Sequence, residues 1–195
     1  MTALEAYELT TQGGGTDFAR LIKACESFGP YCLIGGLAVN CYVEPVYTLD
    51  ADIVVIASSL RNLARHLQEQ GFQADEHPHS LNVRAPESDL RIQFTTDERY
   101  QAFLSRSVEA EVLGVRVRVA SVEDVTQGKL WAYSDPQRRL SKRKKDELDL
   151  IRLAEAHPEL KSAYPSALKE VIDRGWDTRG TPSTACRGSK AGRLE

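Results

Sequence analysis

No apolar run in this sequence approaches the ~18 residues of a membrane-spanning helix, and charged residues make up 27% of it. A transmembrane segment is therefore not expected. The opening MTALEAYELT has no basic stretch followed by an apolar one, so a secretory signal is also absent and a cytoplasmic location is expected. Cysteine is scarce. Cys25, Cys32, Cys41 and Cys186 show no C-x-x-C spacing, which speaks against a zinc site and for buried free thiols in a reducing compartment. His77 and His79 flank Pro78 in a polar stretch and read as loop residues rather than ligands. No internal repeat is visible. The net charge of −3 does not by itself indicate a nucleic-acid partner.

What is present fits one core of ordinary size: 195 residues, 42% of them hydrophobic. Charge is unevenly placed. Residues 174–195 carry five basic and two acidic side chains, leaving −6 for residues 1–173. Within that acidic body RRLSKRKK (138–145) holds six basic residues and no acidic one. The patterning predicts a helix capped by Asp17 with Phe18, Leu21, Ile22, Cys25 and Phe28 on one face. It predicts strands at Tyr31–Ile34 and Leu49–Ile56, a helix at Leu37–Tyr42 and another through Leu60, Leu63, Ala64 and Leu67, stopped by Gly71. Leu81–Arg84 and Leu90–Thr95 around APESD read as a hairpin. A helix near 98–110, a strand at Val115–Val119 and two further helices complete an α/β (α+β) domain on a mixed sheet. The expected division is a core over 1–120, helices over 121–173 completing the same domain, and a disordered tail over 174–195.

The most informative segment is 34–56, IGGLAVNCYVEPVYTLDADIVVI. A strand runs into Gly35-Gly36, a short helix and a turn follow, and a second strand carries Asp50 and Asp52. Residues two apart on a strand share a face, so the two carboxylates lie side by side on an otherwise apolar strand. Desolvating them costs roughly several kcal/mol each unless a cation compensates. A hard divalent cation with oxygen ligands is the usual one, and Mg²⁺ commonly takes one or two carboxylates plus substrate phosphates. Glycines at a helix N-terminus let backbone N–H groups approach a phosphate.

Downstream, Ser121 and Asp124 form a capping box for a helix over 122–134. Lys129 falls on its apolar face, where a lysine either extends its ammonium to water or meets a buried anion. In either case methionine would keep the apolar stem, so Lys129→Met is expected to cost little stability. In the next helix Lys145 and Asp149 are four apart and can pair. Arg138, Arg139, Lys142, Arg143 and Lys144 have no local partner and could line a path for a polyanion such as RNA.

Gly35, Gly36, Thr48, Asp50 and Asp52, in the order GG then T-x-D-x-D, resemble the first motif of the DNA polymerase β-like nucleotidyltransferases. Within them the chain is most similar to the AbiEii-type family, many of whose members are toxins of toxin–antitoxin pairs. SVEDVTQGKLWA (121–132) resembles the family's lysine-bearing helix and RRLSKRKKDELDL (138–150) its closing K-D-x-x-D helix. The likeness spans roughly residues 16–160. It implies a nucleotidyltransferase fold and transfer of a nucleoside monophosphate from a triphosphate to an acceptor hydroxyl. It further implies Mg²⁺ on Asp50 and Asp52, phosphates on Gly35, Gly36, Thr48 and Lys129, an RNA or protein acceptor, and an antitoxin partner. The sequence departs from the family at Val46, where relatives commonly have arginine. It departs again at Gln93 in Arg91-Ile92-Gln93-Phe94, where a third carboxylate belongs. Asp89 and Asp97 lie four residues away, roughly 13 Å along a strand, and cannot replace it. These departures keep two other readings open, a nucleotide-binding regulator without turnover and an RNA-binding module.

Overall fold

The longest apolar run becomes the strand at the centre of the molecule. In the computed structural model, which describes residues 11–77, 79–85 and 88–177 with Glu5, Tyr7 and Leu9, β2 (Asp50–Val55) buries Ala51, Ile53, Val54 and Val55. On one side it pairs antiparallel with β1 (Tyr31–Ile34), Ile34 standing opposite Asp52. On the other it pairs parallel with β5 (Arg91–Thr95), Asp50 beside Arg91 and Asp52 beside Gln93. The hairpin expected around APESD is formed by β4 (Ser80–Arg84) and β5, with Arg84 opposite Arg91. With β3 (Gln73–His77), β6 (Val108–Val112) and β7 (Val115–Val119) the order is β3-β4-β5-β2-β1-β7-β6. This is the expected mixed sheet.

Two of those strands correct the sequence reading. QADEH has no apolar alternation, yet it forms the edge strand β3, held by its backbone ladder to β4 with a mostly exposed, charged surface. Such an edge resists further pairing. His77 therefore lies in a strand, beside Asp75 at 3.2 Å, and not in a loop. The helix expected near 98–110 is two short helices, α4 (Glu98–Gln101) and α5 (Phe103–Arg106), and residues 108–112 form β6. Leu113 and Gly114, both at positive φ, make the two-residue turn that sends β6 back as β7. A leucine at that place hides the turn from composition.

The helices follow their apolar spacing. α1 (Gly14–Phe28) buries Phe18, Leu21, Ile22 and Cys25, but it starts ahead of Asp17. Gly14 N–H donates to Thr11 Oγ1 at 2.9 Å, and Asp17 pairs with Arg20 instead of capping. α2 (Gly35–Val39) begins at the glycine pair and is shorter than expected. α3 (Ala57–Glu69) buries Leu63, Ala64 and Leu67 against the sheet. α6 (Val122–Ser134) is capped by Ser121 Oγ, which accepts from Asp124 N–H at 3.3 Å. α7 (Leu140–Ala156) leads through a 3₁₀ turn (Pro158–Ala163) to α8 (Ser166–Asp177). Leu130, Leu150, Ala154, Tyr164, Leu168 and Ile172 form a second apolar cluster among these last helices. The final helix runs to Asp177, beyond the expected start of the tail at 174, and residues 178–195 lie outside the described residues. Cys25 and Cys32 are buried, Cys41 is partly so, and all three are free thiols. Cys186 is outside the described residues.

Candidate active site

Segments distant in sequence meet at one open cleft of about 720 Å³: the α2 start, the stretch 48–52 that leads into β2, the strands β3, β4 and β5, and helices α6 and α7. Asp50 and Asp52 both face it, as their spacing requires. Gln93 lines it too, as an exposed residue of β5 between the buried Ile92 and Phe94. The sheet register puts Gln93 directly beside Asp52.

Gly35 has a reason for being glycine that the sequence did not reveal. Its φ is +71°, and a Cβ there would lie 2.1 Å from Asp52 Oδ2. The carboxylate therefore rests against bare backbone. Gly36 faces Thr48, whose Oγ1 would be 3.4 Å from an added Cβ. That oxygen also accepts the Asp50 N–H at 3.3 Å and receives Lys145 Nζ at 3.5 Å. The glycine pair, Thr48 and the two aspartates are thus one connected structure.

The repulsion expected between the carboxylates is offset by basic residues from elsewhere. Arg91 Nε lies 3.7 Å from Asp50 Oδ1, and Lys142 Nζ lies 3.6 Å from Asp50 Oδ2. Among the described residues Asp52 has no such direct ion pair. Burial pushes its pKa up, Lys129 opposes that rise, and Asp50 adds to it. Asp50 and Asp52 stand without a third His, Cys, Asp or Glu in metal-binding reach among the described residues. Such a pair suits a hard cation that draws its other ligands from phosphate and water, not a closed protein cage.

Lys129 is only 8% exposed and lies at the floor of the cleft. Its ammonium does not reach out to water. It sits 3.0 Å from Asp146 Oδ1 and 2.7 Å from Asp149 Oδ2, two carboxylates that are 2% exposed. Burial alone would lower the lysine pKa, but Asp149 and Asp146 together outweigh burial and raise it. The ammonium donates a hydrogen bond to Asp146 Oδ1 and meets Asp149 as an ion pair.

This network overturns the expected Lys145–Asp149 pair. Asp149 is taken by Lys129 and by Arg152 at 2.8 Å, so Lys145 is left to reach Thr48. Arg138, in the turn before α7, binds Asp146 of that helix at 2.7 Å, and Lys142 leans across the cleft on Asp50. Lys144 pairs with Glu147 at 2.7 Å, and Arg139 is exposed. The basic run is therefore divided between the wall of the cleft and the outer surface. Its alignment with the cleft depends on how α7 packs against α6 and α2, which local sequence does not encode. At the departure from the family, Val46 is 42% exposed, and its backbone N–H and C=O are both bound by the Asn40 side chain, at 3.1 and 2.7 Å.

Comparison with known proteins agrees with this architecture. The antibiotic-resistance factor ANT(2'')-Ia, solved in complex with adenylyl-2''-tobramycin, superimposes with a TM-score of 0.53 at 16% identity over 86% of this chain and 98% of that one. An antigenic nucleotidyltransferase-like protein from Paracoccidioides brasiliensis gives 0.53 at 19% identity, over 86% and 90%. At these identities the likeness establishes the fold. No curated protein sequence matches the chain. The family described as the nucleotidyl transferase AbiEii toxin of type IV toxin–antitoxin systems matches residues 20–192, further than the motifs alone reach. The chain belongs to the AbiEii nucleotidyltransferase family.

Proposed function

We propose that the cleft transfers a nucleoside monophosphate from a Mg²⁺-bound triphosphate to an acceptor hydroxyl. The observation that carries this reading is the convergence of Asp50, Asp52, Gly36 and Thr48 with Lys129, Lys142 and Lys145 on one cleft. Carboxylates alone would repel a triphosphate, and cations alone would repel its metal. Asp50 and Asp52 hold the metal, which when bound neutralises phosphate charge and makes the α-phosphorus electrophilic. Lys142 and Lys145 exchange Asp50 and Thr48 for phosphate oxygens, and Lys129 adds its positive charge from the cleft lining. These residues orient the triphosphate so that the acceptor oxygen attacks in line as pyrophosphate leaves.

Gln93 occupies the place of the third carboxylate. It accepts a hydrogen bond but takes no proton at neutral pH, so the acceptor hydroxyl is aligned rather than deprotonated there. That favours slow turnover, and it also keeps a second reading in view, a nucleotide-binding regulator without transfer. An RNA or protein acceptor and a cognate antitoxin fit the family and belong to the same proposal. The test is Mg²⁺-dependent transfer of label from α-labelled nucleotides to total RNA or protein. Asp50→Asn and Asp52→Asn are each expected to abolish Mg²⁺-dependent nucleotide binding in a folded protein. If both variants bind Mg²⁺ and nucleotide like the parent, the site is wrong. Binding without transfer in the parent would select the regulator.

A further inference from the structure

A second cavity, about 190 Å³, opens from the floor of the cleft and shares Asp52, Gln93 and Lys129 with it. Asp124, Arg138 and Asp146 also line it, but its walls include aromatic rings, which the described lining of the main cleft lacks. Tyr100 and Phe103 form one, and Val125, Gly128 and Ala132 of α6 form the other. The aromatic wall is braced from behind. Phe103 stacks on Trp131 with centroids 5.8 Å apart and planes at 11°, while Tyr100 meets both rings edge-on at 5.3 Å. Gly128 sets the width of the slot, because a Cβ there would lie 3.2 Å from Tyr100 Cε1. Gln93 and Thr95 are the uncharged hydrogen-bonding side chains of β5 that line it. Gln93 carries both donor and acceptor atoms, and Thr95 Oγ1 accepts the Asp97 N–H at 3.2 Å while keeping its own hydrogen to donate.

We infer that this side pocket receives the base of the nucleoside triphosphate, an inference that rests on the nucleotide reading above. The cavity is smaller than the ~300–1,000 Å³ that buries a whole drug-sized ligand, so it accommodates one ring system. With the α-phosphorus near Asp52, the nucleoside has two exits. One passes over Gln73, Asp75, Asn82 and Arg84, which are polar and face solvent. The other enters the aromatic slot. A heteroaromatic ring gains most by leaving water for aromatic and aliphatic walls, and its polar edge then meets Gln93 and Thr95. The polar exit is left to the acceptor, which must bring a hydroxyl to the same seam.

The experiment compares Mg²⁺-loaded nucleoside triphosphates with Mg²⁺-loaded inorganic tripolyphosphate by titration calorimetry, in the parent, Ala132→Leu and Gly128→Ala. Ala132 is partly exposed, so leucine fills the slot without entering the core, and alanine at Gly128 favours the helix while pressing on Tyr100. The parent is expected to bind at least one nucleoside triphosphate about tenfold or more tighter than tripolyphosphate. Nucleoside binding should also change a tryptophan fluorescence signal that Trp131→Phe removes. Ala132→Leu should erase the nucleoside preference and leave tripolyphosphate affinity as in the parent, with Gly128→Ala between the two. Equal nucleoside affinity in parent and Ala132→Leu overturns the base pocket. So does a preserved nucleotide Kd with a raised acceptor KM, which would assign the slot to the acceptor. If the parent binds neither ligand, the nucleotide reading itself fails.

Discussion

At the scale of single residues, Lys129 shows how far a side chain's surroundings can alter its meaning. On the sequence alone, methionine looks harmless at this position. In the fold it would leave Asp146 and Asp149, both 2% exposed, without their central cation. Breaking a buried pair from one side costs about 3–5 kcal/mol, so Lys129→Met should unfold well below the parent in a thermal melt, and an unchanged Tm would contradict the network. Because the folded lysine pKa is raised, the stabilisation it brings is complete below the ordinary lysine range and is lost as pH climbs through the raised value. Asp52 has the opposite sign. Its folded pKa is also raised, but for a carboxylate this means a penalty that is absent below the usual carboxylate range and complete once pH exceeds the raised value. Metal-free Asp52→Asn should therefore melt higher than the parent at neutral pH, with the two curves converging toward acid. Gln93 offers the third test. With Asp52 as its register neighbour, Gln93→Asp adds a like charge that should lower the metal-free Tm, and Mg²⁺ should restore it. Loss without rescue would put Gln93 outside the site. The shared face of Asp50, Asp52 and Gln93 was legible from strand alternation, since a period of two fixes faces. The partners of Lys129 were not, because nothing local marks residues seventeen and twenty positions away as its neighbours.

Among the elements, α7 connects the cleft to the loop that precedes β2. Arg152 binds Asp149 at 2.8 Å, Asn40 Oδ1 at 3.2 Å and the Glu44 carbonyl, while Asn40 holds both backbone groups of Val46. One helix thus secures Lys129 from one side and the entry to the Asp50 strand from the other. Asn40→Ala removes the middle link at a cost of about 1 kcal/mol. Its signature should be local: faster amide hydrogen exchange over residues 41–48 with the β-strands unaffected. Exchange that rises uniformly across the chain would mean that the link is not specific. The elements legible in the sequence were those whose apolar residues kept a period, as in α1, α3, α6, β1, β2 and β7. The two edge strands escaped because an edge is stabilised by its ladder on one side only, and its side chains are free to be polar. The start of α1 was misplaced because Gly13, not the acidic Asp17, is the N-cap residue, and the Thr11 hydroxyl accepts the first helical N–H.

For the whole molecule, composition and alternation were sufficient for a mixed α/β sheet, but not for the order of its strands. Neighbours such as β1 and β7, or β2 and β5, are joined by crossovers that pass over other elements, and no periodicity records them. The same holds for charge. The acidic body and the basic run were visible as numbers, while their meeting at Asp50 through Lys142 is a property of the closed fold. This arrangement bears on how the protein is made. Asp50 and Asp52 leave the ribosome before Lys129, Lys142 and Asp146, by about 4–19 s at ~5–20 residues per second. During that interval the strand pair has its carboxylates but not the α7 cations that share its cleft. A nascent chain that has not yet reached α7 therefore has the two carboxylates of the cleft without the lysines that line its opposite wall, and the cleft forms only after that helix has been made.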